Sequence, residues 1–150
     1  MDSPRLEDTV DTIARECIAV RTRVLSRAIS QLYDEALRPL GIKVSQLNVL
    51  IVVAKLEPAS PGEVAGRLNM EKSTLSRNVE RMRTRGWIEV SEAPAGRGQV
   101  LVVGQAGRRL IEDAWPHWRQ AQQRAEALLG VDGLRSVRAA AAAVWKPAVP

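Results

Sequence analysis

The chain has 150 residues, 45% of them hydrophobic, a size and composition that suit one domain with a real core. It contains one cysteine and one histidine, which excludes an internal disulfide framework and argues against a structural zinc site. It has no apolar run of about 20 residues, which argues against a membrane span. The N-terminus is charged, not apolar, which predicts a cytoplasmic protein.

A long first helix is predicted from residue 10 to residue 38, because apolar residues recur there at helical spacing. Its main stripe consists of Ile13, Cys17, Val20, Val24 and Ala28. Pro39 and Gly41 end the helix. A second helix is predicted to begin at Ser45, which serves as its N-terminal cap, and to end at Leu56. Its inward side chains are expected to be Leu47, Leu50, Ile51 and Ala54.

A helix-turn-helix is predicted next, because a strong helix start precedes a short basic helix. In Ser60-Pro61-Gly62-Glu63, the serine is the N-cap, the proline takes the first helical position and the glutamate completes a capping box. A turn through Asn69 and Met70 leads into the basic helix, which begins near Glu71 and is ended by Gly86.

The basic helix has two different faces at about 100° per residue. The packing face consists of Leu75, Val79 and Met82. The other face carries Ser73, Arg77, Glu80, Arg81 and Thr84, with Thr74 and Ser76 at its flanks. Small hydroxyls followed by guanidinium groups suit entry into a DNA major groove. Residues 67–85 hold six basic and two acidic side chains, so this segment carries much of the net charge of +5. The alternative is that these charges belong to a solvated helix face with no ligand.

A β-hairpin is predicted directly after the basic helix, which makes the module a winged helix-turn-helix. The strands are residues 87–90 and 100–103, and a tip rich in glycine and proline joins them at residues 93–99. Arg97 lies between two glycines at this tip and is expected to contact a minor groove or a phosphate. The alternative is a solvated loop arginine.

The C-terminal third is predicted to be helical, with one helix at residues 105–129 and another at 132–145, separated by Gly130. Pro116 lies inside the first of these and is expected to kink it. The helices at both ends have more apolar surface than the small central module can cover. The chain is therefore expected to form a homodimer that holds two basic helices roughly 34 Å apart, one DNA turn. A monomer whose terminal helices pack on each other is the alternative.

This order of elements resembles the MarR family of bacterial transcription regulators over nearly the whole chain. The matching segments are Gly41-Ile42-Lys43-Val44-Ser45-Gln46-Leu47, Leu68-Asn69-Met70-Glu71-Lys72-Ser73-Thr74-Leu75-Ser76-Arg77 and Arg85-Gly86-Trp87-Ile88. The resemblance implies a mainly α fold with a small hairpin wing, as a single domain over residues 1–150. Its DNA-binding lobe would be residues 45–103, and its dimerisation helices residues 10–38 and 105–145.

The resemblance also implies a homodimeric repressor that binds a palindromic operator in double-stranded DNA. By position, the groove and phosphate contacts would be Ser73, Thr74, Ser76 and Arg77, with Arg81 on the same face and Arg97 on the wing. The family's wing commonly carries Asp-Arg-Arg where this chain has Ala95-Gly96-Arg97, so one arginine survives and the orienting aspartate is lost. Its second strand commonly ends in Leu-Thr where this chain has Val103-Gly104, which predicts the loss of a helix cap.

Two kinds of effector follow from the resemblance. Family members are often released from DNA by small aromatic or phenolic acids, and here Trp115, His117 and Trp118 surround Pro116, with His117 or Arg15 available for a carboxylate. Other members sense oxidants through a first-helix cysteine, which would be Cys17, with Arg21 placed to lower its pKa. The alternatives are core tryptophans, a surface histidine and an inert buried thiol.

The candidate functional classes are a sequence-specific DNA-binding regulator, a winged helix that docks protein, and an enzyme. Exposure of Ser73, Thr74, Ser76 and Arg77 together favours the DNA-binding regulator. We find no nucleophile–base pair, phosphate loop or metal cluster in the sequence, so we expect no catalytic residue, no cofactor and no metal ligand.

Overall fold

The computed structural model describes residues 5–144. The helices are α1 (Leu6–Glu16), α2 (Ile18–Leu37), α3 (Val44–Leu56), α4 (Pro61–Arg67), α5 (Lys72–Thr84) and α6 (Gln105–Val144), with a short 3-10 helix at Arg38–Leu40. Strands β1 (Ile88–Glu92) and β2 (Gln99–Val103) form an antiparallel hairpin, here called the wing together with its tip. The predicted fold class, mainly helical with a small hairpin, is confirmed. Residue 145, the predicted end of the last helix, lies outside the described residues.

The N-terminal helix is interrupted, so the prediction of one helix over residues 10–38 is wrong. α1 already begins at Leu6, and the helical backbone stops at Cys17, whose φ of −64° and ψ of 107° are extended. α2 then resumes at Ile18. The apolar stripe keeps its helical period across this point, and a period cannot reveal one extended residue.

The core lies around α3, and the structure corrects the prediction for two of its inward residues. Leu47, Val49, Leu50 and Val53 are buried, whereas Ile51 is 41% exposed and Ala54 is exposed. The start of the helix also differs from the prediction, because it begins at Val44 and Ser45 is exposed. The Val44 N–H donates to Asp34 Oδ1 of α2 at 2.8 Å, and the Lys43 N–H donates to Gln46 Oε1 at 3.1 Å. Asp34 and Gln46 thus satisfy amide groups at the start of α3, whose N-cap position is taken by Lys43 and not by Ser45.

α6 is the longest helix and packs along α2. It continues through Pro116 and has one non-helical residue at Gly130, with φ 67° and ψ 176°, at the predicted boundary. The Tyr33 hydroxyl of α2 donates to Gln122, and Arg124 pairs with Glu35 at 3.3 Å. Within residues 5–144, no single helix has the length and apolar composition of a membrane span, although the bent pair Ile18–Leu40 and Val44–Leu56 has them jointly.

Gly104 joins the wing to α6, and its missing side chain has a steric reason. A Cβ placed on Gly104 would overlap the carbonyl of Gly86, so the backbone at the end of α5 approaches closer than any side chain permits. The Gly104 N–H donates to the Trp87 carbonyl at 3.0 Å, and the Gly104 carbonyl accepts from the Arg108 N–H at 3.0 Å. The sequence indicated only a lost side-chain cap at Gly104. In the structure, the backbones of Gly104 and Gly86 cross closely there, and this crossing fixes the base of the wing at the start of α6.

Candidate nucleic-acid interface

The first helix of the helix-turn-helix, α4, begins with the predicted capping box. Ser60 Oγ accepts from the Glu63 N–H at 3.2 Å, and Glu63 Oε2 accepts from the Ser60 N–H at 2.9 Å and from the Ser60 hydroxyl at 2.7 Å. These hydrogen bonds, the backbone one first, lower the pKa of Glu63. Pro61 occupies the first turn, as predicted. The start of α4 is therefore set by residues that are local in the sequence.

A tight turn places α5 across α4. Asn69 adopts a left-handed φ of 47°, and the Met70 N–H donates to the Ala65 carbonyl at 2.9 Å. Asparagine tolerates this conformation better than most residues. The turn aims α5 so that Leu75 and Met82 lie in the core, 1% and 0% exposed.

The opposite face of α5 is exposed. Ser73, Ser76, Arg77 and Arg81 are all exposed, and Thr74 is half-buried at the edge. Among residues 5–144, no ion pair involves either arginine of this group. Hydroxyl donors near the N-terminal end and free guanidinium groups farther along can contact base edges and phosphates. We call these five residues the α5 face.

Two of the basic residues counted in the sequence are already engaged within the protein. Arg83 pairs with Glu80 at 2.7 Å, and its hydrogen bonds lower the pKa of Glu80. Arg85 donates to the Gly41 carbonyl at 2.9 Å, and its guanidinium lies 4.7 Å from the centroid of the Trp87 ring. The positive charge left for a ligand is therefore concentrated nearer the start of α5 than the sequence count indicated.

The wing lies beside α5. Ile88 pairs with Val103 and Glu92 with Gln99. The second strand ends at Val103 as predicted, and the other three strand limits lie one or two residues from the predicted ones. Gln99 of β2 and Lys72 and Ser76 of α5 line the same hollow of about 220 Å³, which brings the wing next to the α5 face.

Arg97 is exposed at the tip of the wing. The glycines on either side have left-handed φ values of 69° and 88°, which side chains rarely adopt. The tip is closed by two backbone bonds, from the Ala93 N–H to the Gly98 carbonyl at 2.9 Å and from the Gly96 N–H to the Ala93 carbonyl at 2.8 Å. Ala95, at the position where the resemblance places an orienting aspartate, is exposed, and within residues 5–144 the bonds that close the tip are these two backbone bonds.

An apolar pocket of about 360 Å³ lies between α3 and α6. It is lined by Leu47, Asn48, Ile51, Ile111, Ala114, Trp115 and Trp118. The two indole rings stack with centroids 5.5 Å apart and planes 11° from parallel. Trp115 is 58% exposed, and the guanidinium of Arg119 lies 5.9 Å from its ring centroid. An exposed aromatic pair next to a cation can bind a small planar ligand.

The structure brings together only part of the effector set expected from the sequence. Trp115 and Trp118 share the pocket, whereas His117, half-buried on α6, does not line it. Arg15 is exposed on α1, far along the chain from the pocket's helices, and its nearest ion-pair partner is Glu16 at 3.9 Å. Arg119 is the cation that the sequence reasoning missed, and its spacing of four residues from Trp115 was the signal that could have identified it.

Cys17 is free and half-buried at the break between α1 and α2, not fully buried inside a helix as expected. The Arg21 guanidinium donates to the Arg15 carbonyl. Arg21 therefore contacts the backbone of Arg15 and not the Cys17 thiol, contrary to the prediction. Within the described residues, no group of three or more histidine, cysteine, aspartate or glutamate side chains could hold a metal ion.

The chain is similar to known transcriptional regulators. A model of the MarR family matches residues 40–98. The M. tuberculosis transcriptional regulator MosR is 34% identical, with a TM-score of 0.73 over 84% of this chain and 91% of that one. The structure of MosR in complex with DNA is 33% identical, with a TM-score of 0.75 over 85% of this chain and 92% of that one.

Two further relatives are more distant. A mutant MarR from E. coli complexed with operator DNA superposes with a TM-score of 0.77 over 90% of this chain and 98% of that one, at 20% identity, which shows the shared fold. The uncharacterized HTH-type transcriptional regulator YwoH of Bacillus subtilis (strain 168) is 26% identical over 88 residues. That match covers 59% of this chain and 64% of YwoH, less than two thirds of its length. Identity to MosR over most of both chains, together with the family-model match, shows that the chain belongs to the MarR family of DNA-binding transcriptional regulators.

Proposed function

We propose that this protein is a homodimeric repressor that binds a palindromic operator in double-stranded DNA. The observation that carries the proposal is the α5 face, where hydroxyls and unpaired guanidinium groups are exposed on a helix whose other side is buried. Leu75 and Met82 prevent α5 from rotating, so the same side chains always face outward. A fixed, polar and basic helix face is what insertion into a major groove requires.

Each residue of the α5 face has a definite role in this proposal. Arg77 donates two hydrogen bonds to the O6 and N7 atoms of a guanine, the commonest specific contact between protein and DNA. Ser73 and Ser76 contact phosphates or base edges near the start of the helix, and Arg81, one turn farther on, contacts a phosphate. Arg97 on the wing enters the adjacent minor groove or contacts its backbone.

The terminal helices support the proposed homodimer. Their exposed apolar side chains include Leu6, Val10, Ile13, Ile18, Val20 and Val24 on α1 and α2, and Leu128 and Val131 on α6. Val20 and Val24 lie one turn apart on α2, and an exposed apolar helix face of this kind supports an interface with a second copy. A second copy that covers it would create a two-fold axis and two α5 faces, matching the symmetry of a palindromic site.

The structure of MosR in complex with DNA and that of E. coli MarR with operator DNA support DNA as the partner of this chain as well. The alternative is a winged helix that docks protein, which does not require a row of free hydroxyl and guanidinium groups. The two alternatives differ in their dependence on salt, because DNA binding releases counterions and protein docking at this face would release few.

The experiment is a fluorescence-anisotropy titration of the full chain on duplexes from its own upstream region, at several salt concentrations. A dimer making about six phosphate contacts should lose roughly 10³-fold in affinity between about 50 and 200 mM salt. Arg81→Ala should reduce the slope of log affinity against log salt by about two, one phosphate per protomer. Arg124→Ala, which changes the net charge equally on α6, is the control and should leave the slope unchanged. A flat salt dependence in the wild type would favour the docking module.

A second candidate function concerns release from DNA. We propose that the pocket between α3 and α6 binds a small planar aromatic acid, with its ring against Trp115 and Trp118 and its carboxylate near Arg119. The stacked indoles and the neighbouring guanidinium support this class of ligand. Asn48 is the polar side chain in the lining and offers a hydrogen bond to a phenol or amide.

The effector proposal is tested by tryptophan fluorescence with benzoate and salicylate against an aliphatic acid of equal charge. Aromatic acids should quench the fluorescence and weaken DNA binding, whereas the aliphatic acid should do neither. Trp115→Leu should lose most of the response, and His117→Gln, which alters a residue outside the lining, should keep it. Equal responses to the aromatic and aliphatic acids would contradict the proposal.

A redox role for Cys17 remains the alternative mode of regulation. Its half-buried position at the α1–α2 break supports access by a small oxidant such as peroxide. The test is the effect of peroxide on DNA binding by wild type and Cys17→Ser. An unchanged response in Cys17→Ser would remove the redox role.

A further inference from the structure

The outer edge of β2 is covered by the segment that follows α3. The Leu101 N–H donates to the Ala59 carbonyl at 2.8 Å, and the Ala59 N–H donates to the Leu101 carbonyl at 3.0 Å. Two residues farther along β2, the Val103 N–H donates to Glu57 Oε1 at 2.7 Å. Because amides two residues apart on a strand point to the same side, the Glu57 carboxylate continues the ladder where the neighbouring backbone ends.

The same carboxylate is bound from α6. Arg108 Nη2 lies 2.9 Å from Glu57 Oε1 and 2.8 Å from Glu57 Oε2. The Glu57 side chain is only 21% exposed, whereas that of Arg108 is 56% exposed. A charge-assisted pair with one partly buried partner has a better defined geometry than a surface pair. We call the contact among Glu57, Arg108 and the Val103 N–H the Glu57 clip.

The Glu57 clip acts at the base of the wing, on the last residue of β2. The tip lacks the family's aspartate and is closed by the two backbone bonds between residues 93 and 98. The position of Arg97 therefore depends on how β2 is held at its base. β2 is also held by its pairing with β1, by Ala59, by the buried side chain of Val103 and by the Gly104 crossing. The Glu57 clip adds a polar contact between the last residue of β2 and α6.

We propose that Glu57 is a positioning residue, which fixes the direction of the wing and so the place where Arg97 contacts DNA. Arg108 connects Glu57 to α6. The inference rests on the proposed DNA-binding function. It gives α6, the helix that carries both the apolar pocket and the apolar dimer surface, a direct polar connection to the wing. A displacement of α6 would then change the wing's contact with DNA without moving the α5 face.

The first test is a double-mutant cycle measured by anisotropy on the best-binding duplex. Glu57→Gln keeps an acceptor for the Val103 N–H but removes the charge pair with Arg108, and should lower affinity by about 2- to 30-fold. Arg97→Ala should weaken wild-type binding but cost much less in the Glu57→Gln background, because a misdirected arginine contributes little. Arg108→Gln, which leaves Glu57 and Val103 untouched, should behave like Glu57→Gln.

Glu35→Gln is the matched control. It removes one carboxylate from a pair with another α6 arginine, Arg124, but far along the chain from the wing. It should leave both the affinity and the full effect of Arg97→Ala unchanged. Strict additivity of Glu57→Gln and Arg97→Ala would overturn the inference, as would an equal loss in the Glu35→Gln control.

A second measurement does not depend on DNA. Hydrogen exchange at residues 93–98 should be faster in Glu57→Gln and Arg108→Gln than in wild type, and unchanged in Glu35→Gln. Unchanged exchange in the first two variants would overturn the inference even if DNA binding is confirmed. If wild type binds no duplex, the proposed function fails, and the exchange result still decides whether the Glu57 clip holds the wing.

Discussion

The winged lobe, which here means the elements from α3 to β2, and the helices at both ends of the chain differ in how far their apolar side chains are buried. In the lobe, α3, α4, α5 and the wing all contribute fully buried residues to one core, among them Leu50, Val64, Met82 and Leu101. By contrast, α1 has no buried residue, and α2 has one, Leu37, at its C-terminal end. Both regions have helical stripes of similar period, so the period shows which face is apolar but not what covers it.

The exposed surfaces of the two regions differ in the same way. The lobe exposes hydroxyl and guanidinium groups on the α5 face, whereas the terminal helices expose aliphatic side chains such as Val24, 62% exposed. A polar, basic surface suits DNA, and an apolar surface suits a second copy of the chain. The four predictions below test this contrast, in order of decreasing expected effect on free energy.

Leu50→Ala should have the largest effect, because Leu50 is 0% exposed at the centre of the lobe. We expect the free energy of unfolding to fall by about 2–5 kcal/mol, the sum of lost burial and the cavity left behind. Chemical denaturation measures this loss. Leu128→Ala, at a side chain 58% exposed on α6, is the comparison and should cost much less where the chain is monomeric. Equal losses would show that the contrast between the two regions is wrong.

Val24→Asp should act on assembly instead of folding. A carboxylate on the apolar face of α2 should weaken association by about 2 kcal/mol or more if that face is the centre of the dimer interface. Light scattering should then show a mass near the 16.5 kDa of one chain where wild type has twice that. Ser26→Asp, at another exposed position of α2, is the control and should remain dimeric. A dimeric Val24→Asp would place the interface elsewhere.

Arg77→Ala should weaken binding to the preferred duplex by about 1–3 kcal/mol and relax the choice of one base pair. The physical reason is the loss of a bidentate contact while the rest of the α5 face is kept. Anisotropy on the preferred duplex and its single-base variants measures both effects. Arg83→Ala in the same helix removes a guanidinium that already pairs with Glu80, so it should leave base choice intact. Intact specificity in Arg77→Ala would show that another face of the lobe contacts the bases.

Ser60→Ala should have the smallest effect, a loss of about 1 kcal/mol from the capping box of α4. The pKa of Glu63 is lowered in the folded protein, chiefly by its hydrogen bonds with Ser60. Glu63 therefore adds stability above its unfolded pKa, and this contribution is lost as pH falls through the lower folded pKa. Thermal unfolding should show the gap between wild type and Ser60→Ala narrowing from about pH 7 to about pH 3. A gap that does not change with pH would mean that the Ser60 hydroxyl contributes nothing to the lowered pKa of Glu63, since the backbone N–H of residue 60 is kept in the variant.

Features that depend on neighbouring residues in sequence could be predicted. The capping box needs residues three apart, and the two faces of α5 need only the helical period, so both followed from the pattern. α3 was harder because nine of its 13 residues are apolar. Only Asn48 and Lys55, three residues before and four after Ile51, mark the exposed side of the helix, whereas Val49 and Val53 are buried.

Features made by distant residues had no sequence signal. The carboxylate that bonds the start of α3 comes from Asp34, and Glu57 and Arg108 are 51 residues apart in the chain. For the same reason, only part of the effector site could be predicted from the sequence. Trp115 and Trp118 were predicted because they surround Pro116 on one helix, whereas Asn48 belongs to another helix and became a neighbour only through folding.

The central claim is that two identical α5 faces, held together by the terminal helices, bind one operator. Hydroxyl-radical footprinting on a duplex selected from random sequence tests it most directly. We predict two protected stretches related by a two-fold centre and about one helical turn apart, 10–10.5 base pairs from centre to centre. A single protected stretch, or two stretches whose spacing varies between selected duplexes, would contradict the account.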